Sequence, residues 1–368
     1  MSFLFLMSFP RMQESSKTYK NMFFINLFYR VFTIIRLFFL DFRFCGNDTR
    51  KYKNNIIIFF LILSFSIPAF SAATNLKNIP ITVVAPATGA DNKTLSDLKN
   101  INGLNLQIPS KCFAKGKLPF LASSDEVRFD CLRDALFDES DNVVWSLRGG
   151  YGSARIIPGL LKLSKPNKEK FFIGYSDITA LHLFLSQKWG WKTIHGSNIA
   201  DLLKPDKEQS NFTKLAEILK GKVKQVTIDN LSPLNDIVKS SDLVNGKLTG
   251  GNLTMVQTSI GTSWQIKTKG KILFLEDVNV APFRLDRELL HLKQAGLLED
   301  VKAIIFGSFG KDLDATMLVL RNFADNLNIP VFKTNRFGHE KINDPIIYNT
   351  DSKIIMGKNK GFKLVMGL

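Results

Sequence analysis

Short apolar runs alternate with amphipathic stretches from residue 79 to the end of the chain. "IPITVVAPATG" (79–89) reads as a strand entering a glycine-containing loop, and "DNKTLSDLKNING" as a short helix stopped by glycine. "LNLQIP" returns to a strand. "SSDEVRFDCLRDALFD" (123–138) opens on capping residues and then places Val127, Cys131, Leu132, Ala135 and Leu136 at helical spacing. "NVVWSL", "EKFFIGYSD" and "WKTIHG" follow as strands, the first running into "RGGYGSAR". Strands interleaved with helices predict an α/β fold with a mostly parallel sheet, whose loops gather at the strand carboxyl ends.

From Lys204 to Lys247 the pattern changes. The stretch is polar and lysine-rich, with one helix ("FTKLAEILKG") and a β-like "KQVTID", and reads as a connection. A second unit then begins. It holds the strand "GKILFLED" (270–277), the helix "RLDRELLHLKQAGLL" (284–298), the strand "VKAIIFGSFG" (301–310) and a helix near "TMLVLRNFADNL". Two short β-like pieces, "SKIIMG" and "FKLVMG", close it. The expected organisation is an N-terminal domain over 73–203, a linker over 204–247 and a smaller α/β domain over 248–368.

Residues 50–72, "RKYKNNIIIFFLILSFSIPAFSA", differ from all of this: a basic start, an apolar run from Ile56 to Ile67, then small residues. The run is about twelve residues, short of the ~20 that span a bilayer. The segment reads as a secretory signal peptide cut near Ser71–Ala73, which predicts a periplasmic or secreted protein with no membrane span after cleavage. The aromatic-rich residues 1–49 have no role ahead of such a signal and are set outside the fold.

Charge changes the picture little. The chain is formally +16, and residues 1–72 hold nine of its 49 Lys/Arg and three of its 33 acids. The remaining lysines are scattered, with no Arg-rich helix or aromatic-interleaved patch, so nucleic acid is not an expected partner. Two cysteines of the mature chain, Cys112 and Cys131, either form a disulfide after export or stay as separate buried thiols.

"FFIGYSDITALHLFL" (171–185) raises the chemical question. A buried strand breaks at Gly174-Tyr175-Ser176-Asp177 and continues as a helix. Ser176 is either a helix cap or a nucleophile lifted above the sheet on a sharp turn. Gly149 and Gly150, after the strand "VVWSL", allow backbone N–H groups to approach a ligand or an oxyanion. Glu276 and Asp277 end a strand, where a carboxylate can orient an imidazole. The chain has four histidines. His182 and His291 lie in leucine-rich helices, His195 follows a strand ("IHGSN") and His339 lies in a glycine-adjacent loop ("RFGHEKIND"), His339 slightly ahead as a general base. There is no HExxH, paired-cysteine or Walker spacing, and neither metal nor cofactor is expected. The order Ser176, Glu276, His339 is that of α/β hydrolases, but Ile178 stands where their G-x-S-x-G turn has glycine.

The set "VVAPATG", "SLRGGYGSARIIP", "FIGYSDITALHLFL", "IHGSN", "GKLTGGNLT", "GTSW", "ILFLEDVNVAPFRLDRELLHLKQAG" and "FGH", spread in order over 79–368, resembles the LD-carboxypeptidase family of serine peptidases. That family includes muramoyltetrapeptide carboxypeptidases and microcin C immunity proteins. The resemblance implies a Rossmann-like N-terminal domain, a separate C-terminal α/β unit, a Ser176–Glu276–His339 triad between them, and a homodimer. It implies a murein tetrapeptide substrate losing its terminal D-Ala, with hydrolysis of peptidyl-nucleotides as the alternative and a non-catalytic cell-wall peptide binder as a third reading. Glu340 departs from the glycine that commonly follows the family's histidine, and "HGSN" from its His-Gly-Pro. On this reading the N–H groups of Asp177 and of Gly149-Gly150 hold the oxyanion, and Arg148 is a candidate fork for the substrate carboxylate. Trp264, in "GTSW", is either a stacking surface for a base or core filler.

Overall fold

The computed structural model describes residues 75–113, 116–237, 244–310, 313–357 and 361–368. The expected extension (1–49), signal peptide (50–72) and cleavage site lie outside the described residues. Among those described, no helix is long and apolar enough to cross a membrane.

The first layer is a six-stranded sheet. Strands β1 (Pro80–Val84), β2 (Asn105–Gln107), β3 (Val143–Ser146), β4 (Phe171–Gly174) and β5 (Ile194–His195) are mutually parallel, in the order β5-β4-β3-β1-β2. The central strands are buried almost end to end, as continuous Val/Ile/Phe runs must be when both faces are covered. The crossovers carry α1 (Asn92–Lys99), α2 (Asp125–Phe137), the short α3 (Ile157–Leu160) and α4 (Thr179–Phe184). Helix α2 starts as its sequence indicates. Ser124 Oγ accepts the N–H of Val127, and Asp125 and Glu126 sit in the positive first turn.

The second layer is a closed seven-stranded barrel, in the order β10-β6-β13-β12-β7-β8-β9. Its strands are β6 (Gln225–Pro233), β7 (Val244–Asn252), β8 (Lys271–Glu276), β9 (Ala303–Phe306), β10 (Val331–Lys333), β12 (Asp351–Met356) and β13 (Phe362–Gly367). Strands β7 to β10 run parallel, and the remaining pairings are antiparallel. Helices α6 (Leu253–Thr258), α7 (Pro282–Gln294) and α8 (Leu313–Asp325) belong to this half of the chain.

The stretch 204–247, expected as a linker, contains α5 (Gln209–Leu219) and β6, and β6 pairs with both β10 and β13 to close the barrel. The chain therefore enters its second layer before residue 248. The two layers also exchange a strand. Strand β11 (Ile346–Ile347), late in the sequence, pairs antiparallel with β5, placing Ile346 opposite His195. One continuous apolar core runs through both layers.

Cys112 and Cys131 are joined by a disulfide, with Cα atoms 5.8 Å apart. The loop it closes leads to Phe120, whose carbonyl accepts Thr88 Oγ1 at 2.7 Å. Thr88 Oγ1 in turn accepts the N–H of Tyr151 at 3.1 Å, so this loop buttresses the glycine turn after β3.

Candidate active site

Ser176 lies two residues past the end of β4, where the chain turns sharply. Its φ is +67°, the left-handed region that costs a side-chain-bearing residue about 1–2 kcal/mol. The turn is that tight because its neighbours leave no room. A Cβ on Gly174 would lie 2.2 Å from Ser146 Oγ and 2.9 Å from Ile178 Cγ2. Ser176 caps neither the short turn it begins nor α4; no side-chain capping bond is made at either start. The helix-cap reading of Ser176 therefore falls away, and its hydroxyl stands beside the glycine turn. A Cβ on Gly149 would come within 3.0 Å of Ser176 Oγ.

The turn is fastened from below. Asp177 is buried, and its carboxylate accepts the N–H of Ser153 at 2.8 Å while its carbonyl accepts Ser153 Oγ. Burial raises the Asp177 pKa against these hydrogen bonds, so its side chain serves the turn's structure. Fully buried Arg128 supports the other side, donating to the carbonyls of Pro86 and Gly152. His182, one turn into α4, bonds Thr193 Oγ1 at 2.8 Å and the Gly174 carbonyl at 2.9 Å. A carbonyl can only accept, so Nε2 carries the hydrogen. Burial pushes the His182 pKa down to about 4, and the ring is a neutral brace.

The barrel supplies the other two groups. Glu276 ends β8 and is fully buried; its Oε2 lies 2.7 Å from Nδ1 of His339. Nδ1 must then donate, leaving Nε2 free to take a proton. Burial of the imidazole works to lower the His339 pKa. The Glu276 charge and hydrogen bond outweigh it, and the net shift is upward. The His339 ring packs on Tyr175 at 4.8 Å between centroids, beside the residue that precedes Ser176. Sheet and barrel thus set the His339–Glu276 pair against Tyr175, the residue that precedes Ser176.

The rival histidine sits elsewhere. His195 is fully buried between Tyr175 and the rings of Phe274 and Phe337, and burial holds its pKa well below the ordinary value. Among the described residues it has no carboxylate partner. Arg148 is exposed beside Gly149 and makes no hydrogen bond or ion pair among the described residues. Trp264 is 6% exposed and part of the core, which removes it as a stacking surface.

One connection escaped the sequence. Asn252, at the end of β7 and directly opposite Glu276, donates from its N–H to Thr179 Oγ1 of α4 at 3.0 Å. Its side chain caps α6 at Met255 N and donates to Asp277 Oδ1 at 2.9 Å. Asp277 also accepts from the N–H and hydroxyl of Thr254. The path Thr179–Asn252–Asp277 ties the serine's helix to the glutamate's strand. It needs the two backbones close together: a Cβ on Gly251 would lie 2.6 Å from Thr179 Oγ1. A Gly-Gly pair before an Asn in "GKLTGGNLT" is the signal that could have marked it.

Known proteins share this arrangement of the chain. Models of the LD-carboxypeptidase N-terminal and C-terminal domains match residues 81–196 and 245–354. A Rickettsia conorii protein carrying a provisional carboxypeptidase name is 91% identical over 308 residues, covering 84% of this chain and 97% of that protein. The murein tetrapeptide carboxypeptidase of Pseudomonas aeruginosa is 32% identical over 282 residues, 70% of this chain and 87% of that one. The crystal structure of muramoyltetrapeptide carboxypeptidase from Oxalobacter formigenes superposes with a TM-score of 0.68 at 27% identity, covering 78% of this chain and 99% of that one.

Proposed function

Because the chain belongs to the LD-carboxypeptidase family of peptidases, we propose that it is a serine carboxypeptidase releasing terminal D-Ala from murein tetrapeptides. The observation that carries this reading is the 2.7 Å His339–Glu276 bond, packed on Tyr175, the neighbour in sequence of a serine held at positive φ.

His339 Nε2 takes the Ser176 proton as Oγ attacks the carbonyl between the L-centre of the third residue and D-Ala. Glu276 fixes the tautomer and steadies the imidazolium. Backbone N–H groups of Asp177 and the Gly149-Gly150 turn receive the oxyanion, each donor contributing about 3 kcal/mol. Collapse breaks the amide bond, His339 returns the proton to the departing D-Ala nitrogen, and water then hydrolyses the acyl-enzyme. Exposed Arg148 is suited to the free carboxylate that marks the end of the substrate. Burial of Trp264 withdraws support from the peptidyl-nucleotide alternative.

The same proposal places the mature protein in the periplasm or outside the cell, as a homodimer. The Cys112–Cys131 disulfide supports an oxidising compartment. Residues 73–368, incubated with purified murein tetrapeptide, should release D-Ala, and Ser176→Ala should not. Failure of the unmodified protein to release D-Ala would sink the reading.

A further inference from the structure

We propose that Lys207 is a positioning residue for His339, an ammonium clamp on the backbone of the catalytic base. The inference rests on the reading of His339 as that base. Lys207 lies in the turn ahead of α5, in the stretch whose composition suggested only a connection. Its Nζ donates to the carbonyl of His339 itself at 2.5 Å and to that of Glu340 at 2.6 Å. A single cation thus closes over two successive carbonyls, and that geometry fixes the peptide plane from which the imidazole hangs.

The clamp heads a row of contacts from the same element. The N–H of Glu208 and the side-chain amide of Asn211 both donate to the Lys341 carbonyl, at 3.1 and 2.9 Å. Asn211 Oδ1 accepts the N–H of Asn343 at 3.0 Å, and Lys214 pairs with Asp344 at 2.6 Å. These contacts hold residues 341–344, whereas Lys207 grips the carbonyl of the base itself. The His339 loop needs such a hold, since it follows Gly338 at φ +122°.

The ammonium has a second effect through space. Asp201, Lys204, Asp206 and Glu340 face Lys207, and Asp277 and Glu276 face His339. Among these groups Lys207 is the cation that opposes protonation of His339, countering part of the pull of the two carboxylates. Its loss should loosen the ring and leave it protonated at higher pH.

The test compares Lys207→Met, Lys207→Gln and Lys207→Arg in the full mature protein. Lys207→Met should lower kcat for D-Ala release by about 10²-fold, the scale of a small misplacement of a catalytic group. KM should stay within about twofold, because a substrate-binding role is not involved. The inflection of kcat/KM against pH should move upward, and Lys207→Arg should restore both. NMR titration of the His339 imidazole in Ser176→Ala protein, with and without Lys207→Met, should show the same upward shift without turnover. Unchanged kcat and an unmoved imidazole in Lys207→Met overturn the clamp. Unfolding of both Lys207→Met and Lys207→Gln also overturns it, since the lysine would then serve general stability. If the imidazole shifts but the unmodified protein releases no D-Ala, the clamp stands and the assigned reaction fails.

Discussion

Nδ1 of His339 and Oε2 of Glu276 meet at 2.7 Å although 63 residues separate them in sequence. The carboxylate is fully buried and the imidazole faces the turn that carries Ser176, an arrangement that orients one ring nitrogen and frees the other.

Ser176→Ala and His339→Ala should each reduce turnover by roughly 10⁶-fold, and the double variant should be no worse, because the residues act as a unit. Glu276→Gln should cost roughly 10⁴-fold by favouring the wrong tautomer. His195→Ala should keep its rate per folded molecule. Steady-state kinetics on one tetrapeptide decides the matter; a dead His195→Ala beside an active His339→Ala would refute the assignment.

Activity should rise with pH, because the base works only when neutral. The Glu276 carboxylate lifts the His339 pKa above the ordinary ~6.5, so the inflection in kcat/KM should lie above that value. The same shift contributes stability that is complete below the ordinary imidazole pKa and fades as pH rises through the raised one. In Glu276→Gln, burial and Lys207 are opposed only by the weaker pull of Asp277, and the His339 pKa should fall, measurable by NMR titration.

Ser176→Gly should be inactive yet more stable than Ser176→Ala by about 1–2 kcal/mol, since only glycine relaxes at φ +67°. Urea unfolding of the two variants measures this. Equal stabilities would mean that the turn stores no strain.

Gly149→Ala should fold but lose activity, as the added methyl lands 3.0 Å from Ser176 Oγ. Gly250→Ala should instead fail to accumulate, because its Cβ would fall 1.8 Å from the Phe274 carbonyl inside the barrel. Soluble yield and D-Ala release, measured together, separate the two effects.

Reduction of Cys112–Cys131, or its replacement by serines, should lower stability by about 3 kcal/mol, the closure entropy of a loop of this length. Denaturant titration with and without reductant provides the comparison. Since the loop buttresses Thr88 and the glycine turn, kcat should fall as well.

Much of this was legible in the chain. The apolar run before Gly174-Tyr175-Ser176-Asp177 announces a buried strand broken abruptly, and the structure places the strained turn there. The alternation of Val/Ile runs with capped helices likewise announced the parallel sheet. What local pattern could not carry is pairing across distance. His195 and His339 look alike in sequence because what separates them is a carboxylate reached only through the barrel. Barrel closure was hidden for a related reason: "KQVTID" reads as β-like, but it lies in a polar, lysine-rich stretch, and its place in the barrel comes from its partners β10 and β13. Asp277 reads from the sequence only as a carboxylate ending a strand, and the approach of β7 to α4 is what joins it to Asn252.

Ile346 and Ile347 come from the last part of the chain yet complete the border of the sheet formed by its first part. The two halves consequently cannot be traded like interchangeable modules between relatives. A gene fragment ending near residue 203 would produce a sheet with an open rim at β5, inviting strand addition by other copies. An exchange between relatives that keeps this sheet intact has to move both halves together, the serine with the strand that closes its rim.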